Sequence, residues 1–153
     1  MVLQVQLPDI KEGEMIDRRY SCEGEDISPA LVWSEAPSAT ESFAIVMDDP
    51  DAPGGTFIHW VLYNIGSESS SIQENLPRLK STSLGYSQGI NSFGRIGYNG
   101  PCPPRGTTHR YYFRIFALST KEKFRHSMSR DDLMRMIEGK VIESAVTMRK
   151  FGR

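Results

Sequence analysis

The sequence predicts a mostly β fold with few short helices, on three observations. Short runs are apolar at nearly every position, as strands covered on both faces are. Clusters of Gly, Pro, Asp and Asn separate those runs. Only one segment carries apolar residues at clear helical spacing.

Each element has its own signal. Val2 to Leu7 alternates apolar and polar residues, the period of a half-buried strand. Ser42 to Asp48 holds the compact run Phe43 to Met47; Phe57 to Ile65 is aromatic and β-branched; Tyr111 to Leu118 is similar. Phe43, Ile45, Trp60, Leu62, Phe113 and Ile115 are the expected core of an antiparallel sheet. Ser129 can cap a helix, with Asp132 three residues on. Leu133, Met136 and Ile137 form that helix's apolar stripe, and Gly139 ends it. Ala145 to Phe151 reads as a last strand rather than a frayed helix. Asp49 to Gly55 is a turn rich in Pro and Gly, and Gly85 to Gly106 is a long irregular excursion. Long loops of that kind in a compact protein carry function more often than not.

Bulk properties narrow the classes. A chain of 153 residues suits one domain, 1–153, that buries roughly 70% of its unfolded surface and needs no metal or disulfide staple. The net charge of -1 gives no electrostatic reason to expect nucleic acid or an acidic membrane as partner. Met1 to Pro8 lacks the basic and apolar regions of a secretory leader, and no apolar run is long enough to span a bilayer, so a cytoplasmic, non-transmembrane protein is expected. A homodimer is compatible with the sequence. Cys22 and Cys102 read first as reduced, partly buried thiols; a disulfide is the alternative, since their separation in space is not legible. No spacing of Cys or His suggests a metal, and no cofactor is expected.

Two segments concentrate the chemistry. In Asp48-Asp49-Pro50-Asp51-Ala52-Pro53 the carboxylates can serve a plain solvated turn, but the next strand carries His59 and Trp60 inside an apolar run. If those strands form a hairpin, the Asp turn and His59 are close. In Gly97 to Tyr111, the rim Gly100-Pro101-Cys102-Pro103-Pro104 precedes His109-Arg110-Tyr111. The N–H groups of Gly100 and Cys102 are expected to face a ligand, since successive N–H groups can cradle an anion. His109 would add a tunable positive charge.

Together these motifs resemble the phosphatidylethanolamine-binding family, which includes the Raf kinase inhibitor protein. The matching residues are Asp49-Pro50-Asp51-Ala52-Pro53, His59-Trp60, Gly100-Pro101-Cys102-Pro103-Pro104 and His109-Arg110-Tyr111. Cys22-Glu23-Gly24, Ser28-Pro29-Ala30-Leu31 with Trp33, and Asn91-Ser92-Phe93-Gly94 resemble its prokaryotic branch. The resemblance implies a large antiparallel sheet packed on a smaller one. It also implies a small anion or phosphate-group pocket built from Asp49, Asp51, Pro53, His59, Gly100, Cys102, Pro103, His109 and Tyr111. Two departures stand out. Cys102 replaces a glycine of the eukaryotic members, and Lys150 to Arg153 leaves no room for the C-terminal helix that flanks their pocket, so a more open pocket is expected.

The expected function is non-catalytic binding of a small anionic or phosphate-bearing ligand, such as a phospholipid head group. Inhibition of a protease or kinase through a surface loop is an alternative that family members suggest. A phosphoester-processing enzyme using His59 and His109 as acid and base is the other, though no nucleophile is evident. Gly85-Tyr86-Ser87-Gln88-Gly89 matches a nucleophile-elbow pattern but lacks the strand before it and the helix after it. Two carboxylates beside an anion repel it, by about 4 kcal/mol per pair at ~4 Å and an effective dielectric of ~20. They are expected to be engaged by turn N–H groups and by orienting His59, to raise the histidines' affinity for protons, or to bind the amine of a zwitterion.

Overall fold

The computed structural model describes residues 2–153. Among them eight strands form two antiparallel sheets: β1 (Gln4–Gln6), β2 (Leu31–Ser34), β3 (Ser42–Asp49), β4 (Phe57–Gly66), β5 (Ser71–Ile72), β6 (Ser87–Gln88), β7 (Thr108–Leu118) and β8 (Val141–Gly152). The large sheet runs β6-β4-β3-β7-β8 and the small one β1-β2-β5. This is the mostly β, two-sheet architecture expected from the sequence.

Packing explains the apolar runs. β3 lies at the centre of the large sheet and all eight of its residues are buried. One face, with Phe43, Ile45, Met47, Trp60, Leu62, Phe113 and Ile115, packs on Leu3, Val5, Leu31, Trp33 and Ile72 of the N-terminal segment and the small sheet. The opposite face, with Ala44, Val46, Val61 and Tyr63, is covered by Phe124, Met128, Leu133 and Ile137. Coverage on both sides removes the polar alternation an exposed face would impose. β7 keeps a partial alternation, because its even-numbered residues from Thr108 to Phe116 face partly to solvent.

The helix α1 (Arg130–Ile137) is capped as the sequence indicates: the Asp132 N–H donates to Ser129 Oγ at 3.1 Å. Gly139 follows at φ +78°, a conformation that favours glycine. Met136 departs from the expected stripe; it is about one-third exposed, and Leu133 and Ile137 carry the buried contact with Met134 packed partly buried beside them. The last strand starts at Val141, four residues earlier than read, and pairs with β7 along its length. β2, β5 and β6 went unread, because strands of four, two and two residues are too short for a period.

Cys22 and Cys102 form a disulfide, so the reading of two reduced, partly buried thiols is corrected. Both residues are exposed. Their sequence separation of 80 hid a Cα–Cα distance of 5.4 Å. No helix among the described residues is long and apolar enough to cross a membrane.

Candidate functional site

The site begins with an irregularity in the β3–β4 hairpin. Met47 pairs with Trp60 but Asp48 pairs with Ile58, so the register skips His59. A bulge of this kind lets two successive residues point to one face. Trp60 therefore enters the core, while His59, beside it, lines a cavity at the end of the sheet. Ile58 packs on the opposite face.

The turn after β3 is built by its own carboxylate. Asp49 Oδ1 accepts the Asp51 N–H at 2.8 Å, an Asx turn. Its Oδ2 accepts Nδ1–H of His109, from β7, at 2.7 Å. Both side chains of that pair are almost fully buried, at 4% and 7% exposure. Asp49 thus orients His109, not His59 as the sequence suggested. His59 is held instead by a backbone group: its Nδ1 donates to the Asn99 carbonyl at 2.6 Å. A carbonyl only accepts, so Nδ1 carries the proton. In both rings Nε2 has no protein partner among the described residues.

The cavity measures about 220 Å³. Its polar wall is Asp49, His59, His109 and Tyr111; its collar is Ala52, Pro53, Phe57, Phe93, Cys102, Pro103 and Pro104. The Tyr111 ring packs against both imidazoles, with centroids 5.4 Å from His59 and 6.4 Å from His109. Tyr111 is fully buried and its hydroxyl has no hydrogen-bond partner among the described residues. Burial, then the charges of Asp49 and Asp51, push its pKa well above the ordinary phenol value, so it stays a neutral donor. Burial likewise pushes His59 below its usual 6.5, against the opposing pull of Asn99, Asp49, Asp26 and Asp48.

Seven of the nine residues read from the sequence thus surround one cavity: Asp49, Pro53, His59, Cys102, Pro103, His109 and Tyr111. Two do not. Asp51 turns away to Arg110, which it holds in a fork of 2.9 and 2.8 Å and whose backbone N–H it also accepts. That pairing pulls the Asp51 carboxyl down to about 2. The Gly100 N–H faces no ligand; it donates to Asp26 Oδ1 at 2.7 Å. Gly100 is required for packing, since a Cβ there would sit 1.9 Å from the Tyr20 carbonyl oxygen. Asp48, the first carboxylate of the motif, is taken by Arg114 at 2.6 Å.

Phe57 and Phe93 were missed. Phe93 is 45% exposed and packs edge-on against Phe57, centroids 4.7 Å apart, and against His59 at 5.8 Å. Its loop is fixed by Asn91, whose Oδ1 accepts the N–H groups of Phe93 and Arg95. The Ser92 N–H and Oγ bond the Ile58 carbonyl and N–H, which docks the loop on β4. An aromatic residue between Asn-Ser and Gly was the available signal, but nothing local in the sequence tells which wall it meets. Ser87 of the elbow-like pattern sits in β6, where its Oγ accepts from Asn64 at 2.8 Å. No group of three or more His, Cys, Asp or Glu among the described residues is placed to hold a metal ion.

Comparison with known proteins shows the family and the fold. The family model described as phosphatidylethanolamine-binding protein matches residues 6–152. A UPF0098 protein of Aquifex aeolicus is 46% identical over 146 residues, covering 94% of this chain and 85% of the relative. One of Methanothermobacter thermautotrophicus is 43% identical over 130 residues, covering 85% of each chain. Among solved structures, Escherichia coli YBCL, described as a member of the mammalian PEBP family, superposes with a TM-score of 0.91 at 34% identity over 100% of this chain and 99% of its own. A PEBP homologue of Chlamydia trachomatis gives 0.90 at 31% identity over 99% and 98%.

Proposed function

The chain belongs to the phosphatidylethanolamine-binding protein family, and from that premise we propose that it is a non-catalytic binding protein for a small phosphate-bearing anion. One observation carries the reading: two histidines each have one ring nitrogen fixed by the protein and the other free at the same cavity. The His59 Nε2 is a bare acceptor and takes a P–OH. The His109 Nε2, protonated, donates to a phosphoryl oxygen, and Tyr111 supplies a second donor. The favoured ligand is therefore a monoanionic phosphate or phosphomonoester.

The repulsion between carboxylates and an anion is relieved pairwise. Asp48 faces Arg114, Asp51 faces Arg110, and Asp49 faces His109. The apolar collar excludes water and so strengthens the charged hydrogen bonds inside. At about 220 Å³ the cavity is smaller than the roughly 300–1,000 Å³ of sites for drug-sized ligands, so it accepts a head group and leaves any acyl chains outside.

Calorimetric titration with a phosphomonoester tests this. Binding is expected in the micromolar-to-millimolar range, about −8 to −4 kcal/mol. It tightens as pH falls toward about 6, where the phosphomonoester gains its P–OH proton. His109→Ala weakens it by about 1–3 kcal/mol through loss of a charge-assisted bond. A heat independent of pH, and equal in the His59→Ala/His109→Ala double variant, refutes the reading.

A further inference from the structure

We propose that the Cys22–Cys102 disulfide is a thiol-exchange site for a dithiol reductant, and that its state sets the shape of the pocket's mouth. The coupling to ligand affinity rests on the phosphate-binding reading; the exchange site does not. Cys102 is itself part of the cavity wall, and both cysteines are exposed to an attacking thiolate. Exposed disulfides are among those that exchange readily.

The bond's mechanical effect falls on Cys102 itself. Before it, the rim is already tied to the Tyr20–Asp26 segment without any sulfur. Gly100 N–H donates to Asp26 Oδ1, Tyr98 Oη donates to the Tyr20 carbonyl at 2.6 Å, and Cys22 N–H donates to the Pro101 carbonyl at 3.1 Å. After it, Pro103 and Pro104 form part of the cavity collar; Pro103 is buried, and Thr107 beyond them is tied down by the Arg153 N–H, which donates to its carbonyl at 3.2 Å. Arg153 Nε donates to the Pro103 carbonyl at 2.6 Å, and Arg153 also pairs with Glu23. Pro104 accepts from Thr107 only within its own turn. Reduction therefore leaves Gly100, Pro101 and the buried Pro103 anchored and frees Cys102, the exposed wall residue between them, to shift at the pocket's mouth.

The chemistry balances. A thiolate of the dithiol attacks one Sγ; the Sγ–Sγ bond breaks and the other cysteine leaves as a thiolate with the electron pair. The second thiol of the reductant, deprotonated, then attacks the mixed disulfide and expels the first cysteine as a thiolate. Two electrons pass to the protein, and the reductant departs as its own disulfide.

The test uses the full-length chain, dithiothreitol and inorganic phosphate. Without denaturant, dithiothreitol should expose two titratable thiols while the far-UV circular dichroism of the β core is unchanged. The ring signals of His59 and His109 in NMR spectra should shift on reduction and return on reoxidation. Phosphate should bind the reduced form about three- to tenfold more weakly, the loss expected when a preorganised wall residue is freed. A Cys22→Ser/Cys102→Ser variant should match the reduced form and ignore dithiothreitol. Thiols that appear only in denaturant, or ring signals identical in both states, overturn the exchange site. Equal phosphate affinity in both states overturns its coupling to the pocket. If phosphate binds neither form, the binding reading fails, and the thiol count and ring signals still decide the exchange site.

Discussion

Replacing Tyr111 by Phe should stabilise the empty protein and weaken the liganded one. The Tyr111 hydroxyl is buried without a partner among the described residues. A buried unsatisfied hydroxyl costs about 1–3 kcal/mol. Deleting it leaves a void of about 15 Å³, which at ~24 cal/mol per Å³ costs about 0.4 kcal/mol. The net gain is on the order of 1 kcal/mol, or about 2–4 °C in Tm for a chain of this size. In the phosphate complex the same hydroxyl donates to a charged oxygen, worth about 1.5 kcal/mol or more, so affinity should fall roughly tenfold. Thermal unfolding by calorimetry, with and without phosphate, reads both effects. A variant that melts lower than the parent without ligand, or binds phosphate as tightly, refutes the assignment of Tyr111 as an unsatisfied donor.

Other perturbations follow from the same geometry. Because burial holds His59 below its usual 6.5, the unfolded chain takes up this proton first; stability should be full above about 6.5 and decline as pH falls from there toward the folded value. Urea melts at pH 7.5 and 5 should show that decline, and it should shrink in His59→Gln. Asp51→Asn removes a charge that pairs with Arg110 outside the cavity, so phosphate should bind modestly tighter at low salt, and the gain should vanish in about 1 M salt, where the screening length is ~3 Å. Weaker binding would instead make Asp51 an orienting residue. Gly100→Ala forces a Cβ onto the Tyr20 carbonyl and should cost about 1–3 kcal/mol by overpacking, seen as a lower urea midpoint.

The large sheet was legible in the sequence because its central strands are covered on both sides. Phe43, Ile45, Trp60, Leu62, Phe113 and Ile115 could then be read as core from composition alone. α1 was legible from its cap, since Ser129 and Gly139 act locally. The site was legible only in part. His59 and His109 announce themselves as ionisable residues in apolar strands, but their partners do not. Asn99, which fixes His59, lies 40 residues away, and Asp49 lies 60 from His109. The bulge that aims His59 is a property of register, and register depends on both strands of the pair. Asp26, which takes the Gly100 N–H, sits 74 residues from it and carries no local sign of that role. The disulfide was hidden for the same reason: cysteine count permits a bond, and only tertiary structure brings the two together.

The most direct measurement of the central claim is a crystal structure of the protein grown in phosphate near pH 6. The account predicts tetrahedral density in the cavity within about 3 Å of the Nε2 atoms of both His59 and His109, a normal hydrogen-bond length. An ordered phosphate elsewhere on the surface, with the space between the two imidazoles holding only water, would contradict it.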